Sequence, residues 1–150
     1  MNQELKEKIK FYFDIPWDDE TISDELNEQY DEEFEQIIDS YGWNEVYSCM
    51  KDLLVNDYTT DDAIVNWCHA FWNYGVGIET RYIPDPYLLV AYLYYRVDVL
   101  DNSAAFDIFD SIAITILPIP DDEEDMYAAN ADPKVLKLID ELKTGKIKFQ

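Results

Sequence analysis

The sequence predicts an all-α fold: a compact single-domain bundle of about seven helices around a nearly all-apolar central helix at residues 86–100. Three observations carry this. Apolar residues recur at helical spacing through almost every segment. Helix punctuation is regular: Asp85-Pro86 and Asp132-Pro133 each set an acid before a proline at the first helical position, and Gly42, Gly75 and Gly145 follow periodic stretches. The composition, 48% hydrophobic and 15% aromatic over 150 residues, supplies a core, unlike an acidic disordered tail.

Leu5, Ile9 and Phe13 fall at i, i+4 and i+8 and make a short first helix, stopped before Pro16. The stretch Asp14-Ile15-Pro16-Trp17-Asp18 is a loop, because a residue preceding proline is pushed out of the α region. A second helix starts near Thr21 and ends at Gly42. Ile22, Leu26, Tyr30, Phe34, Ile37, Ile38 and Tyr41 fill one arc of its wheel, and Asp24, Glu25, Glu28, Asp31, Glu32, Glu35 and Asp39 the opposite arc. Only Glu33 falls on the apolar side. A third helix, Trp43 to Val55, carries Val46, Tyr47, Met50, Leu53 and Leu54 and is broken by Asn56-Asp57. Thr60 caps a fourth, with Asp61 and Asp62 at the positive end of its dipole. Its buried stripe is Ala63, Ile64, Trp67, Cys68, Phe71 and Tyr74, and Gly75 and Gly77 end it.

The fifth helix starts at Asp85-Pro86 and runs to Leu100. It is apolar nearly all round, which places it centrally. Ser103 caps a sixth, Ala104 to Leu117, stopped by Pro118. Its β-branched second half, Ile112 to Ile116, fits a helix and also a buried strand. An acidic loop at 118–132 is the one clear composition shift. Lys134 to Thr144 form the last helix, with Gly145 as its C′ residue.

Charge sets the limits on function. Thirty-three Asp and Glu against eleven Lys and Arg give a net charge of −22. Ordinary nucleic-acid binding needs cations to displace phosphate counterions, so it is excluded, and docking on anionic lipid is disfavoured for the same reason. No secretory signal is visible at the N-terminus and no apolar run approaches the ~18 residues of a membrane span, so a cytoplasmic location is expected. Cys49 and Cys68 read as reduced core cysteines.

No catalytic or cofactor motif stands out. The one histidine, His69, adjoins Cys68, but helix neighbours point about 100° apart, so no Cys–His pair forms. Two cysteines and one histidine fall short of a zinc site. Four glycines leave little material for a phosphate loop. The run Asp121–Asp125 lacks the alternation and turn glycine of an EF-hand. The expectation is no enzyme, no cofactor and no metal.

Two acidic features and one aromatic feature rise above this background. No Lys or Arg occurs between Lys10 and Lys51. Asp24/Glu28, Glu28/Glu32, Asp31/Glu35 and Glu35/Asp39 are like-sign i, i+4 pairs, each costing a few tenths of a kcal/mol where Glu–Lys pairs would stabilise by ~0.2–0.5 kcal/mol. A face kept acidic at that cost suggests a partner. With its approach it comprises Asp18, Asp19, Glu20, Asp24, Glu25, Glu28, Asp31, Glu32 and Glu35. The second feature is Asp121, Asp122, Glu123, Glu124 and Asp125 followed by Met126 and Tyr127: acids to steer, an apolar pair to anchor. The third is the tyrosine load on the fifth helix. One or two of its rings are expected at a surface groove with Arg81 and Arg96.

A small, acidic, helical chain without catalytic residues fits an inhibitor of a basic protein, and nucleases are the common basic targets. The segment Trp67–Tyr74 (WCHAFWNY) and the stretch Ile83–Leu117, with IPDPYLLVAYLYY and AFDIFDSIA, together with the size and charge, resemble immunity proteins of bacterial polymorphic toxin systems, of the contact-dependent growth inhibition type. The resemblance covers roughly the C-terminal two thirds. It implies a tight one-to-one complex with the toxin C-terminal domain encoded just upstream, often an RNase or DNase, with the free chain a monomer. No residue set carries over from the family, so the expected interface rests on charge geometry. Two alternatives stay open: a free-standing DNA-mimic or anti-defence inhibitor, and a non-inhibitory helical adaptor.

Overall fold

The computed structural model describes residues 2–75 and 81–149, apart from the side chain of Asp121. Gly77 therefore lies outside the described residues. Seven α-helices and several short helical turns make up the described chain, with no strand among them: α1 (Gln3–Phe13), α2 (Asp24–Tyr41), α3 (Trp43–Asp52), α4 (Asp61–Tyr74), α5 (Pro86–Arg96), α6 (Ser103–Ile116) and α7 (Pro133–Lys143). The fold is all-α. The residues gather into two compact units, Met1–Gly77 and Ile78–Gln150.

In the first unit α1 and α2 each pack against α3 and α4. Asn2 caps α1 by accepting the Leu5 N–H at 3.0 Å. The core holds Leu5, Ile9, Phe13, Phe34, Met50, Leu53, Leu54, Ile64, Trp67 and Phe71, all essentially inaccessible. Trp67 lies at its centre, stacked on Phe71 with centroids 4.9 Å apart and donating its indole N–H to the Met50 carbonyl at 2.9 Å. Cys49 and Cys68 are buried free thiols.

Two boundaries differ from expectation here. The second helix starts at Asp24, not near Thr21, because Asp19 captures the Thr21 N–H and hydroxyl and holds that residue in a turn. Ser23 caps the helix instead, accepting the Leu26 N–H at 3.1 Å. Asn56-Asp57 does not break the third helix outright. The chain continues as a π turn over Leu53–Asp57, closed by the Tyr58 N–H on the Leu53 carbonyl at 2.9 Å. Lys6 holds that turn: its ammonium reaches Asp52 at 2.6 Å and Asp57 at 2.8 Å, and the residue is 8% exposed. The hydrogen bonds to the two carboxylates, outweighing burial, raise the lysine pKa. Lys6→Ala leaves two carboxylates facing each other without their cation. Its expected cost is about 2 kcal/mol, below the ~3–5 kcal/mol of a fully buried pair because both acids reach solvent. Urea unfolding at pH 7 checks it.

In the second unit α5 packs along α7 and against α6. Leu89, Val90, Ala91, Tyr92 and Leu93 are buried. The fifth helix ends at Arg96, four residues earlier than expected. Val97 turns extended, and Asp98 caps a 3-10 turn over Val99–Asp101 by accepting the Leu100 N–H at 3.0 Å. Leu100 is accordingly 87% exposed. Asp85 occupies the N-cap position in a left-handed conformation (φ 49°), which asparagine and aspartate tolerate better than other residues. Its carbonyl, not its carboxylate, receives the first helical N–H groups. Asn102, not Ser103, caps the sixth helix, accepting the Ala105 N–H at 3.1 Å. That helix stays α-helical through Ile116, which resolves the helix–strand ambiguity. At the far end of α7, Gly145 takes φ 77° and the Lys146 N–H returns to the Glu141 carbonyl at 2.9 Å, a Schellman closure.

Candidate functional site

The acidic arc of α2 follows from its amphipathicity. Phe34 and Ile38 are buried, with Leu26, Tyr30, Ile37 and Tyr41 half-buried beside them. The acids turn outward: Asp24, Glu25, Glu28, Asp31, Glu32 and Asp39 are exposed and Glu35 is half-buried. Glu33 alone sits on the packed side, where it accepts the Tyr12 hydroxyl and the Gln29 amide, both at 3.3 Å. Burial, with the charge of Glu33, pushes the Tyr12 phenol up to about 12, so it stays a donor.

Electrostatically this face is uncompensated. Asp24, Glu25, Glu28, Asp31, Glu32 and Asp39 make no ion pair among the described residues. Asp24 and Glu25 suit the positive end of the helix dipole, but Asp39 lies at the negative end, whose last turn holds no basic residue. Partial burial and the neighbouring charges of Glu35 and Glu32 raise the Asp31 carboxyl.

The approach to α2 is pinned from α4. The Asn66 amide donates to the Phe13 and Ile15 carbonyls at 2.7 and 3.1 Å, and its oxygen accepts the Trp17 N–H at 2.9 Å. Trp17 stacks on His69, centroids 4.2 Å apart and planes 11° off parallel. Burial holds the His69 pKa down against the opposing pull of Asp18. Asp18 and Glu20 are exposed. Asp19 is half-buried, and its carboxyl is held low by the Thr21 hydroxyl and N–H at 2.5 and 2.9 Å. Neither the Asn66 tether nor the Trp17–His69 stack was foreseen. The one available signal was an asparagine in the interior of a helix, where its propensity is poor.

The second acidic feature belongs to the other unit. It is a 3-10 turn, Asp121–Met126, entered from Pro120. Asp122, Glu123, Glu124 and Asp125 are exposed, Met126 is 86% exposed, and Tyr127 is half-buried. Glu123, Met126, Tyr127 and Asp132 line an open hollow of about 420 Å³. Of the α5 tyrosines, Tyr92 is buried on Phe149 with centroids 4.4 Å apart and takes the Arg96 guanidinium on its hydroxyl. Tyr94 and Tyr95 do line a groove, with Val99, Leu100, Leu136 and Ile139, but Arg81 and Arg96 are not part of its lining.

The shifted carboxyls give a pH dependence of definite sign. Asp31 is raised by burial and its acidic neighbours, and Asp110 by burial, a backbone hydrogen bond opposing. Each penalises the folded state above its folded pKa, and the penalty fades as pH falls towards the usual 3.8. Asp19 and Asp52 are lowered, by hydrogen bonds from Thr21 and Lys6, so their contribution is intact above 3.8 and lost only as pH falls through their folded values. His69 works the other way: its lowered pKa costs stability as pH falls through the usual 6.5. In a His69→Gln variant, where that loss is absent, thermal unfolding should therefore give a higher Tm at about pH 5 than at about pH 7.5, with added salt narrowing the gap. A lower Tm at pH 5 in that variant would contradict the uncompensated face.

Among the described residues no three His, Cys, Asp or Glu side chains converge as metal ligands, and no helix is long and apolar enough to cross a membrane. No protein-family model matches the chain, and no significant match exists to a curated protein or a solved structure.

Proposed function

We propose that this chain is a non-enzymatic immunity protein that binds a cognate toxin domain one-to-one in the cytoplasm and neutralises it. The toxin is a basic nuclease, RNase or DNase. The observation that carries the reading is the face of α2, where six exposed carboxylates stand without ion pairs among the described residues. A nuclease surface built for phosphates presents Lys and Arg, and α2 offers carboxylates in their place. A field from a net charge of −22 steers such a partner, raising association towards ~10⁸–10⁹ M⁻¹s⁻¹ at low salt. Asp122–Asp125 add to the field, and the bare Met126 beside Tyr127 supplies an apolar anchor.

The test is calorimetry against the C-terminal domain of the protein encoded immediately upstream, over a range of NaCl. The expected result is a saturable one-to-one complex that weakens with salt yet persists at physiological strength. A free-standing DNA mimic would instead bind several unrelated nucleic-acid proteins and lose them all in salt. A helical adaptor is favoured by one observation, the groove of about 490 Å³ in which Leu100 stands 87% exposed. Binding there would be insensitive to salt.

A further inference from the structure

In the second unit α5 and α7 frame a groove of about 490 Å³ whose lining includes Tyr95, Val99, Leu100, Leu136, Ile139 and Lys143. Leu136, Ile139 and Lys143 fall at i, i+3 and i+7, so they stand on one face of α7. Tyr95 and Leu136 are exposed, and Leu100 is almost bare. Contiguous exposed apolar side chains mark interaction sites, where singly scattered ones do not. Asp98 is the one acid of the lining and Lys143 the one base.

Charge says what covers this groove. Residues 1–77 hold nineteen Asp and Glu against four Lys and Arg, a net −15, and residues 78–150 hold fourteen against seven, a net −7. Within the second unit, residues 134–148 are net cationic: Lys134, Lys137, Lys143, Lys146 and Lys148 against Asp140 and Glu141. Lys137 pairs with Glu141 at 3.9 Å, and the Lys134 ammonium stands 5.0 Å from the centre of the Tyr87 ring. Lys143, Lys146 and Lys148 are exposed and make no ion pair among the described residues. The helix dipole accounts for Lys143 in the last turn of α7, but not for the two lysines beyond it. The complement of such a surface is an acidic segment that carries an apolar side chain. The chain itself presents one: Asp122, Glu123, Glu124 and Asp125 are exposed and unpaired among the described residues, and Met126 after them is almost bare.

We propose that a second copy of this chain fills the groove. Its 3-10 turn, Asp121–Met126, sets Met126 against Leu100 and Ile139, and its carboxylates meet Lys143 and the lysines beyond. Methionine suits the place, because its flexible thioether adapts to an irregular apolar surface. Turn and groove belong to the same unit, so two copies can exchange them reciprocally about a two-fold axis, each burying the other's Met126. The free chain is then a dimer, in place of the monomer that the resemblance implies. The α2 face takes no part in this contact, which holds whatever the toxin is. A toxin that uses Met126 as its anchor displaces the second copy.

The test is sedimentation equilibrium of the full chain at physiological salt over a wide range of concentration. The expected result is a reversible monomer–dimer equilibrium. Leu100→Ser changes a side chain already in solvent, so urea unfolding should be unaltered while the dimer weakens at least ~10-fold. Joint Glu123→Lys, Glu124→Lys and Asp125→Lys add two charges each and move the net charge from −22 to −16. Were overall repulsion the governing force, this variant would associate more tightly; the proposed contact predicts a loss of at least ~10-fold. Joint Lys143→Glu, Lys146→Glu and Lys148→Glu should lose the dimer as well. Mixing the two triple variants should restore a one-to-one heterodimer, since both of its contacts again join opposite charges. A chain that is monomeric at every concentration overturns the proposal and leaves the groove to the adaptor reading. A dimer that survives Leu100→Ser unweakened, or triple variants that stay apart when mixed, also overturns it.

Discussion

Reversing charge at Glu28, Asp31, Glu32 and Glu35 to lysine should abolish binding of the toxin domain while making the chain itself more stable. The two effects have one cause. Like-sign pairs down α2 each cost a few tenths of a kcal/mol, and lysines opposite Asp24 and Asp39 turn two of them into favourable pairs. The free protein should therefore unfold at higher urea concentration. Against a basic partner the same change removes attraction and adds repulsion, and like-charge juxtaposition at an interface costs several kcal/mol. The expected loss is at least ~10³-fold in affinity, seen first in a slower association rate at low salt. Glu33→Gln on the same helix is the control. Its carboxylate is half-buried against Tyr12, so it should alter stability slightly and binding little. Unchanged binding after the fourfold reversal would leave α2 as a solvated surface with no part in recognition.

Trp67→Ala should be the most damaging single change to the first unit. Trp67 is wholly inaccessible, stacked on Phe71, 6.0 Å from the Phe13 ring, and hydrogen-bonded to the Met50 carbonyl at 2.9 Å. Removing an aromatic of this kind costs about 3–5 kcal/mol through lost transfer energy and the cavity left behind. Domain stabilities are about 5–15 kcal/mol, so the variant stands close to unfolding at 37 °C. Trp67→Phe keeps most of the apolar volume and loses the indole donor, and should cost about 1–2 kcal/mol. Urea titrations of the two variants give the comparison. A loss below ~1 kcal/mol in Trp67→Ala would mean the ring is not the centre of this core.

Trp67 also shows which parts of the fold are legible in sequence. Ile64, Trp67, Cys68, Phe71 and Tyr74 recur at helical spacing and all are buried. Periodicity reports burial on one helix face because a helix can hide only one stripe at a time. Asp132-Pro133 was equally readable, since Asp132 does accept the Lys134 and Val135 N–H groups. What periodicity does not report is where a helix stops. Leu100 continues the apolar pattern of α5, but the Asp98 cap starts a new turn before it and leaves it in solvent.

The acidic face was readable for a related reason: ionised carboxylates do not bury without partners, so their arc had to face out. The groups around it were not readable. Asn66 fixes Phe13, Ile15 and Trp17 across about fifty positions of chain, and Trp17 meets His69 over a similar span. Pairings at that separation leave no local pattern.

The most direct measurement of the immunity role is growth. The C-terminal domain of the upstream-encoded protein is expressed in cells with this chain, without it, and with its α2 charge-reversed variant. The expected result is killing by the domain alone, rescue by the native chain and none by the variant, with degraded RNA or DNA in the dying cells. A domain that kills equally in all three strains, or that is harmless without the chain, contradicts cognate neutralisation.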